Sequence, residues 1–197
     1  MLCSRRGFFA QFGRSLAANV ADSMGALRAE LTARVPRNAD EEPAPRRWLR
    51  PPGALPEPAF LQTCTQCTAC QEACPYQSIR RLGPEFARQA GTPAIVPDES
   101  PCYLCEDMPC IAACEPRALR PVARNEVRMG LAVIDRTACY VTQGQPCDYC
   151  VTRCPLREEA IRLDGSGLPR VIDEGCTGCG VCAYLCPPNA VNIAATV

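Results

Sequence analysis

Cys64-Thr65-Gln66-Cys67-Thr68-Ala69-Cys70-Gln71-Glu72-Ala73-Cys74-Pro75 is a CxxCxxCxxxCP run. This spacing suits the thiolates of an iron–sulfur cubane. Three cysteines on one tight loop reach three irons of a cluster, while the fourth is carried onward to a different cluster. The run returns near the C-terminus as Cys176, Cys179, Cys182, Cys186 and Pro187. Two looser quartets lie between, Cys102, Cys105, Cys110, Cys114 and Cys139, Cys147, Cys150, Cys154. Sixteen of the 17 cysteines are used in this way, which makes them candidate ligands of four [4Fe–4S] clusters, and only Cys3 is left over. Pro75, Pro155 and Pro187 follow the fourth cysteine of their quartets directly and turn the chain away. In the second quartet Glu115 intervenes before Pro116.

Two other chemistries use many cysteines. Disulfide frameworks belong to small secreted chains that lack a core, a poor match to 197 residues. Structural zinc sites use CxxC pairs, but a third cysteine after two more residues and a fourth after another three suit a cubane better than a zinc tetrahedron.

With 20 prolines, 13 glycines and 6% aromatic residues, the chain has little material for a conventional core, so metal binding is expected to drive folding. There is no histidine, which excludes imidazole haem ligation, a Rieske centre and a histidine general base. No constellation for substrate chemistry stands out, and the chain reads as a non-catalytic electron carrier with no nucleic-acid partner. Tyr76, Tyr140, Tyr149 and Tyr184 lie near cysteines, where their rings are expected to shield clusters. The formal net charge is zero. Four oxidised clusters with their thiolates would add roughly −8, so the loaded protein is expected to be acidic. Residues 1–50 hold nine arginines against five acids, and residues 51–197 hold twelve against sixteen.

Three regions are expected: an amphipathic helix within residues 1–35, a linker over 36–58 and a four-cluster domain over 59–197. Phe8, Phe12, Leu16, Val20, Met24, Leu27, Leu31 and Val35 recur at steps of three or four, one apolar stripe that fits the body, a partner or a membrane surface. Seven prolines between Pro36 and Pro58 predict an extended linker. Beyond Phe60 each quartet is followed by a short helix-like stretch and a strand-like run, at 94–98, 131–135 and 170–173. Ile161-Arg162-Leu163 and Val171-Ile172 flank Asp164-Gly165-Ser166-Gly167, a hairpin signal. The fold class is therefore α+β: two fused bacterial ferredoxin-like modules of short helices and β-hairpins wrapped around clusters.

The quartets, Arg50-Pro51-Pro52-Gly53-Ala54-Leu55, Cys102-Tyr103-Leu104-Cys105-Glu106-Asp107-Met108-Pro109-Cys110, Arg128-Met129-Gly130-Leu131-Ala132-Val133 and Cys176-Thr177-Gly178-Cys179-Gly180 resemble the polyferredoxins of the NapF/NapG/MauM type over about residues 48–193. The resemblance implies an accessory iron–sulfur protein of a nitrate reductase or methylamine dehydrogenase system. It also implies a redox protein as partner, either a membrane quinol-oxidising protein or a molybdenum-type reductase. Ser4-Arg5-Arg6-Gly7-Phe8-Phe9 looks like the start of a twin-arginine signal, but Arg14, Asp22 and Arg28 interrupt the apolar stretch that should follow. The cytoplasm is the expected location, with twin-arginine export to the periplasm as the alternative. Two rival functions stay open at this point, a cofactor-maturation factor for a client oxidoreductase and an iron–sulfur subunit of a larger complex.

Spacing alone leaves the pairing of quartets open. The expected arrangement is nested, as in the four-cluster subunits of molybdenum enzymes, which the chain resembles in this respect. The two regular quartets then share one module, so that Cys186 joins Cys64, Cys67 and Cys70 while Cys74 joins Cys176, Cys179 and Cys182. Sequential pairing is the simpler alternative.

Overall fold

The computed structural model describes residues 47–196. The expected helix over 8–35 and linker residues 36–46 lie outside the described residues. The rest of the expected linker, residues 47–58, is not a free tether. Trp48, Leu49, Pro51 and Pro52 are buried, and Leu49 exchanges two 2.8 Å backbone hydrogen bonds with Ile95. Proline-rich chain runs as a solvated spacer only where nothing covers it. Here a tryptophan and a leucine supply apolar surface to bury.

Two halves are laid out alike. In the first, α1 (Glu57–Thr63) follows Pro56, carries Pro58 in its first turn and buries Phe60 completely before ending at Cys64. A one-turn helix, α2 (Ala69–Glu72), leads to β1 (Ile79–Arg81), which pairs antiparallel with β2 (Pro93–Ile95) in the register Ile79↔Ile95. A second one-turn helix, α3 (Pro109–Ala112), completes this half. Its two ends meet at an isolated bridge between Ala54 and Leu119.

The second half begins with β3 (Gly130–Ile134) and continues through α4 (Tyr149–Thr152), the hairpin β4 (Ile161–Leu163) and β5 (Pro169–Val171), α5 (Val181–Tyr184) and β6 (Val191–Ala195). β3 pairs antiparallel with β6, from Gly130↔Ala195 to Ile134↔Val191, so the ends of this half meet in a sheet where the first half has only a bridge. The β4–β5 hairpin falls where Asp164-Gly165-Ser166-Gly167 predicts it. Asp164 Oδ1 accepts the N–H groups of Ser166 and Leu168 and the Ser166 hydroxyl, an Asx turn that closes the loop.

The short helices differ in place from the sequence expectation. Each α-turn lies inside a quartet, with the third cysteine as its second residue, and 3₁₀ turns at 84–89, 124–126 and 157–159 follow the first three quartets. The apolar core formed by Leu49, Phe60, Ile79, Ile95, Leu104, Ile111, Leu119 and Val127 also includes Cys179 and Val181 of the second half.

Candidate metal centres

Each quartet is shaped by backbone that most residues avoid. In the first, Gln66 and Thr68 flank Cys67 with φ of 59° and 70°. In the fourth, the same positions are Gly178 and Gly180, with φ of 68° and 90°. Left-handed residues on either side of the second cysteine curl the loop so that three sulfurs face one volume, and glycine adopts that conformation without penalty. The second quartet keeps the first of these positions at Leu104, φ 50°, and moves the other to Met108, φ 43°, which accommodates its longer spacing. The third replaces the curl with an ordered turn. Within its seven-residue insertion the N–H of Gln143 donates to Cys139 O and that of Gln145 to Tyr140 O.

The fourth cysteines share one device. Three residues after each, Gln77, Arg117, Arg157 and Asn189 have φ between 47° and 59°, and each returns its N–H to the carbonyl of the cysteine. Glu115, which displaces the proline in the second quartet, leaves this turn unchanged. The turn aims backbone donors at sulfur: Ser78 N–H to Cys74 Sγ at 3.4 Å, Leu119 N–H to Cys114 Sγ at 3.4 Å and Ala190 N–H to Cys186 Sγ at 3.2 Å. Ala132 N–H approaches Cys176 Sγ at 3.5 Å. Side-chain identity does not encode these amides, and sequence reading misses them.

Four groups of four cysteines result, each lining its own cavity. Set I is Cys64, Cys67, Cys70 and Cys114. Set II is Cys102, Cys105, Cys110 and Cys74. Set III is Cys139, Cys147, Cys150 and Cys186, and set IV is Cys176, Cys179, Cys182 and Cys154. All sixteen quartet cysteines are thus brought together in fours, each set taking three from one quartet and the fourth from the next quartet along the chain or the one before it. The nested expectation is overturned, because Cys186 lies with Cys139, Cys147 and Cys150, and Cys74 lies with Cys102, Cys105 and Cys110. The gaps between quartets are alike, so nothing in the spacing opposed nesting. The Ala54–Leu119 bridge and the β3–β6 sheet close each half on itself.

The electrostatics agree with this grouping. Burial, then the neighbouring thiols of Cys114, Cys64 and Cys67, push Cys70 up to about 11. Burial, then Cys74, pushes Cys110 up to about 12, and Cys182 is raised by burial and by Cys179, Cys176 and Cys154. Thiolates packed this closely need cationic charge at the centre. Among the described residues no three His, Cys, Asp or Glu side chains close on a single metal ion. Four sulfurs lining one cavity suit a cubane better than a zinc tetrahedron, whose sulfur bonds of about 2.3 Å close on a single ion.

The rest of the lining is mostly apolar, although set I also takes Thr65, Gln66, Thr68, Gln71 and Arg81. Phe60, Ala118 and Leu119 line set I, and Ala132, Ile161 and Ile193 line set IV. Tyr76 and Tyr103, their ring centroids 4.3 Å apart, line set II, and Tyr140 and Tyr149 line set III. These rings line the cavities, with Tyr76 and Tyr149 51% and 49% exposed. Tyr103 was missed from sequence although it directly follows a cysteine. Tyr184 stands half-exposed outside the lining.

Residues 63–118, which contain the first two quartets whole, match the family described as a 4Fe–4S dicluster domain. That one such domain spans these eight cysteines agrees with sequential pairing. Among curated proteins, the chain is 40% identical over 151 residues to the ferredoxin-type protein NapG of Escherichia coli (strain K12), covering 70% of this chain and 65% of that protein. It is 39% identical over 154 residues to the methylamine utilization ferredoxin-type protein MauM of Paracoccus denitrificans (strain Pd 1222), covering 73% and 69%. It is 30% identical over 146 residues to the ferredoxin-type protein NapF of Escherichia coli (strain K12), covering 73% and 83%. The chain belongs to the NapG/MauM family of ferredoxin-type iron–sulfur proteins.

Proposed function

We propose that this chain carries four [4Fe–4S] clusters, one in each cysteine set, in two fused ferredoxin-like modules, and relays single electrons between two redox proteins. The observation that supports this most is the repeated grouping of three cysteines from one quartet with the fourth of its neighbour around one cavity. When bound, a cubane takes up and releases one electron with little change in structure. The chain's part is to exclude water, to fix the sulfurs and to aim backbone N–H groups at them. Those donors favour the more negative reduced state and so raise the potential. The membrane quinol-oxidising protein or molybdenum-type reductase implied by the resemblance supplies the class of partner, and the methylamine utilization in the name of the MauM relatives points to one redox system of that kind.

Iron analysis of anaerobically purified protein should approach ~16 per chain, since each cubane holds four irons. Cys74→Ala should remove the same spectroscopic centre as Cys102→Ala, and Cys186→Ala the same centre as Cys139→Ala. If Cys186→Ala instead matched Cys64→Ala, the crossed assignment would fail. Clusters that moved to an apo client during turnover would mark a maturation factor instead of a relay.

Cytoplasmic retention is proposed on the charges Arg14, Asp22 and Arg28, which break the apolar stretch expected of an export signal. A fused reporter active only after export should stay silent, and a processed, exported form would refute retention.

A further inference from the structure

What joins the two halves fixes the order of all four cysteine sets. The seam runs through two of the proposed ligands: the N–H of Cys102, in set II, donates to the carbonyl of Cys179, in set IV, at 2.9 Å. Around this bond, Cys179 and Val181 pack into the same core as Leu104, Met108 and Cys110. A side chain at Gly180 would begin 2.6 Å from Pro97 Cβ, on the segment that leads into Cys102. Within each half the two sets draw on the same two quartets, which places set I beside set II and set III beside set IV.

We propose that the four sets stand in the spatial order I–II–IV–III, with the Cys102–Cys179 main-chain hydrogen bond as the junction between the halves. Chain order and spatial order therefore differ in the second half, and sets I and III are the two ends. This inference rests on the four-cluster reading above. Set I also holds Cys67, the one exposed cysteine of the sixteen among the described residues, as an end position allows.

Electron paramagnetic resonance of the fully reduced holoprotein tests the order through magnetic coupling between neighbouring centres. Four variants each remove one set: Cys114→Ala for set I, Cys74→Ala for set II, Cys186→Ala for set III and Cys154→Ala for set IV. Losing set II should leave set I as an isolated, uncoupled signal beside a coupled pair, and losing set IV should isolate set III in the same way. Losing set I or set III should leave three coupled centres and none isolated. An isolated signal after loss of set III, as the order I–II–III–IV requires, overturns the proposal. Native holoprotein answers the same question without substitution, by anomalous scattering from iron in its crystals. The irons of sets II and IV should be the nearest pair across the seam, and any other pair there overturns the order. Iron analysis separates the two failures: fewer than four cubanes in the native protein sinks the four-cluster reading, whereas four cubanes in another order sink this inference alone.

Discussion

Replacing Arg50 with alanine should destabilise the first half by about 1.5–3 kcal/mol, the range for hydrogen bonds to charged groups, since its ion pair is partly buried. Its guanidinium is spoken for on every side. Nε and one terminal nitrogen fork onto Glu57 at 2.9 and 2.6 Å, and the other nitrogen donates to Thr92 Oγ1 at 2.8 Å and to Pro93 O at 2.7 Å. The planar group lies 4.6 Å from the Trp48 ring centroid and 4.4 Å from that of Phe60. One side chain therefore ties the N-terminal arm to β2 and to α1, the helix that delivers Cys64. Denaturant titration followed by loss of cluster absorption should show an earlier first transition, with set I released first. Arg50→Lys should recover only part of the loss, because an ammonium keeps the charge but cannot reproduce the fork or stack on the rings in the same way. Full recovery by lysine would show that charge alone holds this corner.

Gly178→Val should abolish the metal-bound form of set IV. At φ 68° a β-branched residue is strongly disfavoured, and an added Cβ would lie 2.4 Å from the backbone of Gly130, the first residue of β3. Neither backbone can yield, since Met129 N–H donates to Thr177 O beside the contact and Gly130 is paired with Ala195. Iron content should fall to ~12 per chain if one cubane is lost. The counterpart in the first quartet gives the opposite expectation. Gln66 has φ 59° but is exposed, so Gln66→Gly should relieve local strain, offset by greater freedom of the unfolded chain, and should change iron content little. Loss of iron in Gln66→Gly would show instead that the Gln66 side chain, which donates to Ala90 O at 3.3 Å, holds the loop.

The cysteine spacing made the sixteen grouped cysteines legible, and the short apolar runs and the Asp164 turn made the α+β class and the β4–β5 hairpin legible, because each depends on local chain geometry. Asp164 closing its own loop is chemistry four residues wide. The pairing of quartets was not legible, because it is decided by contacts such as Ala54 with Leu119 and Gly130 with Ala195, between residues about 65 apart in sequence. Nor was the role of Arg50. Amid prolines it reads as one more solvated charge, and only the rings of Trp48 and Phe60 arriving from either side give it a buried place. The uneven third quartet was ambiguous for a related reason. Seven residues between Cys139 and Cys147 can be slack or structure, and the hydrogen bonds of Gln143 and Gln145 to the start of the insertion decide for structure.

Sequential pairing has a consequence in time. Every cysteine of sets I and II lies between residues 64 and 114, and every cysteine of sets III and IV between residues 139 and 186. A chain made from its N-terminus can therefore close its first half around metal while the second is still being synthesised. Had Cys64, Cys67 and Cys70 depended on Cys186, three thiols would have waited unpaired through most of translation, open to oxidation and to the wrong ion. The crossed exchange of cysteines between neighbouring quartets limits that exposure to the interval between residues 64 and 114.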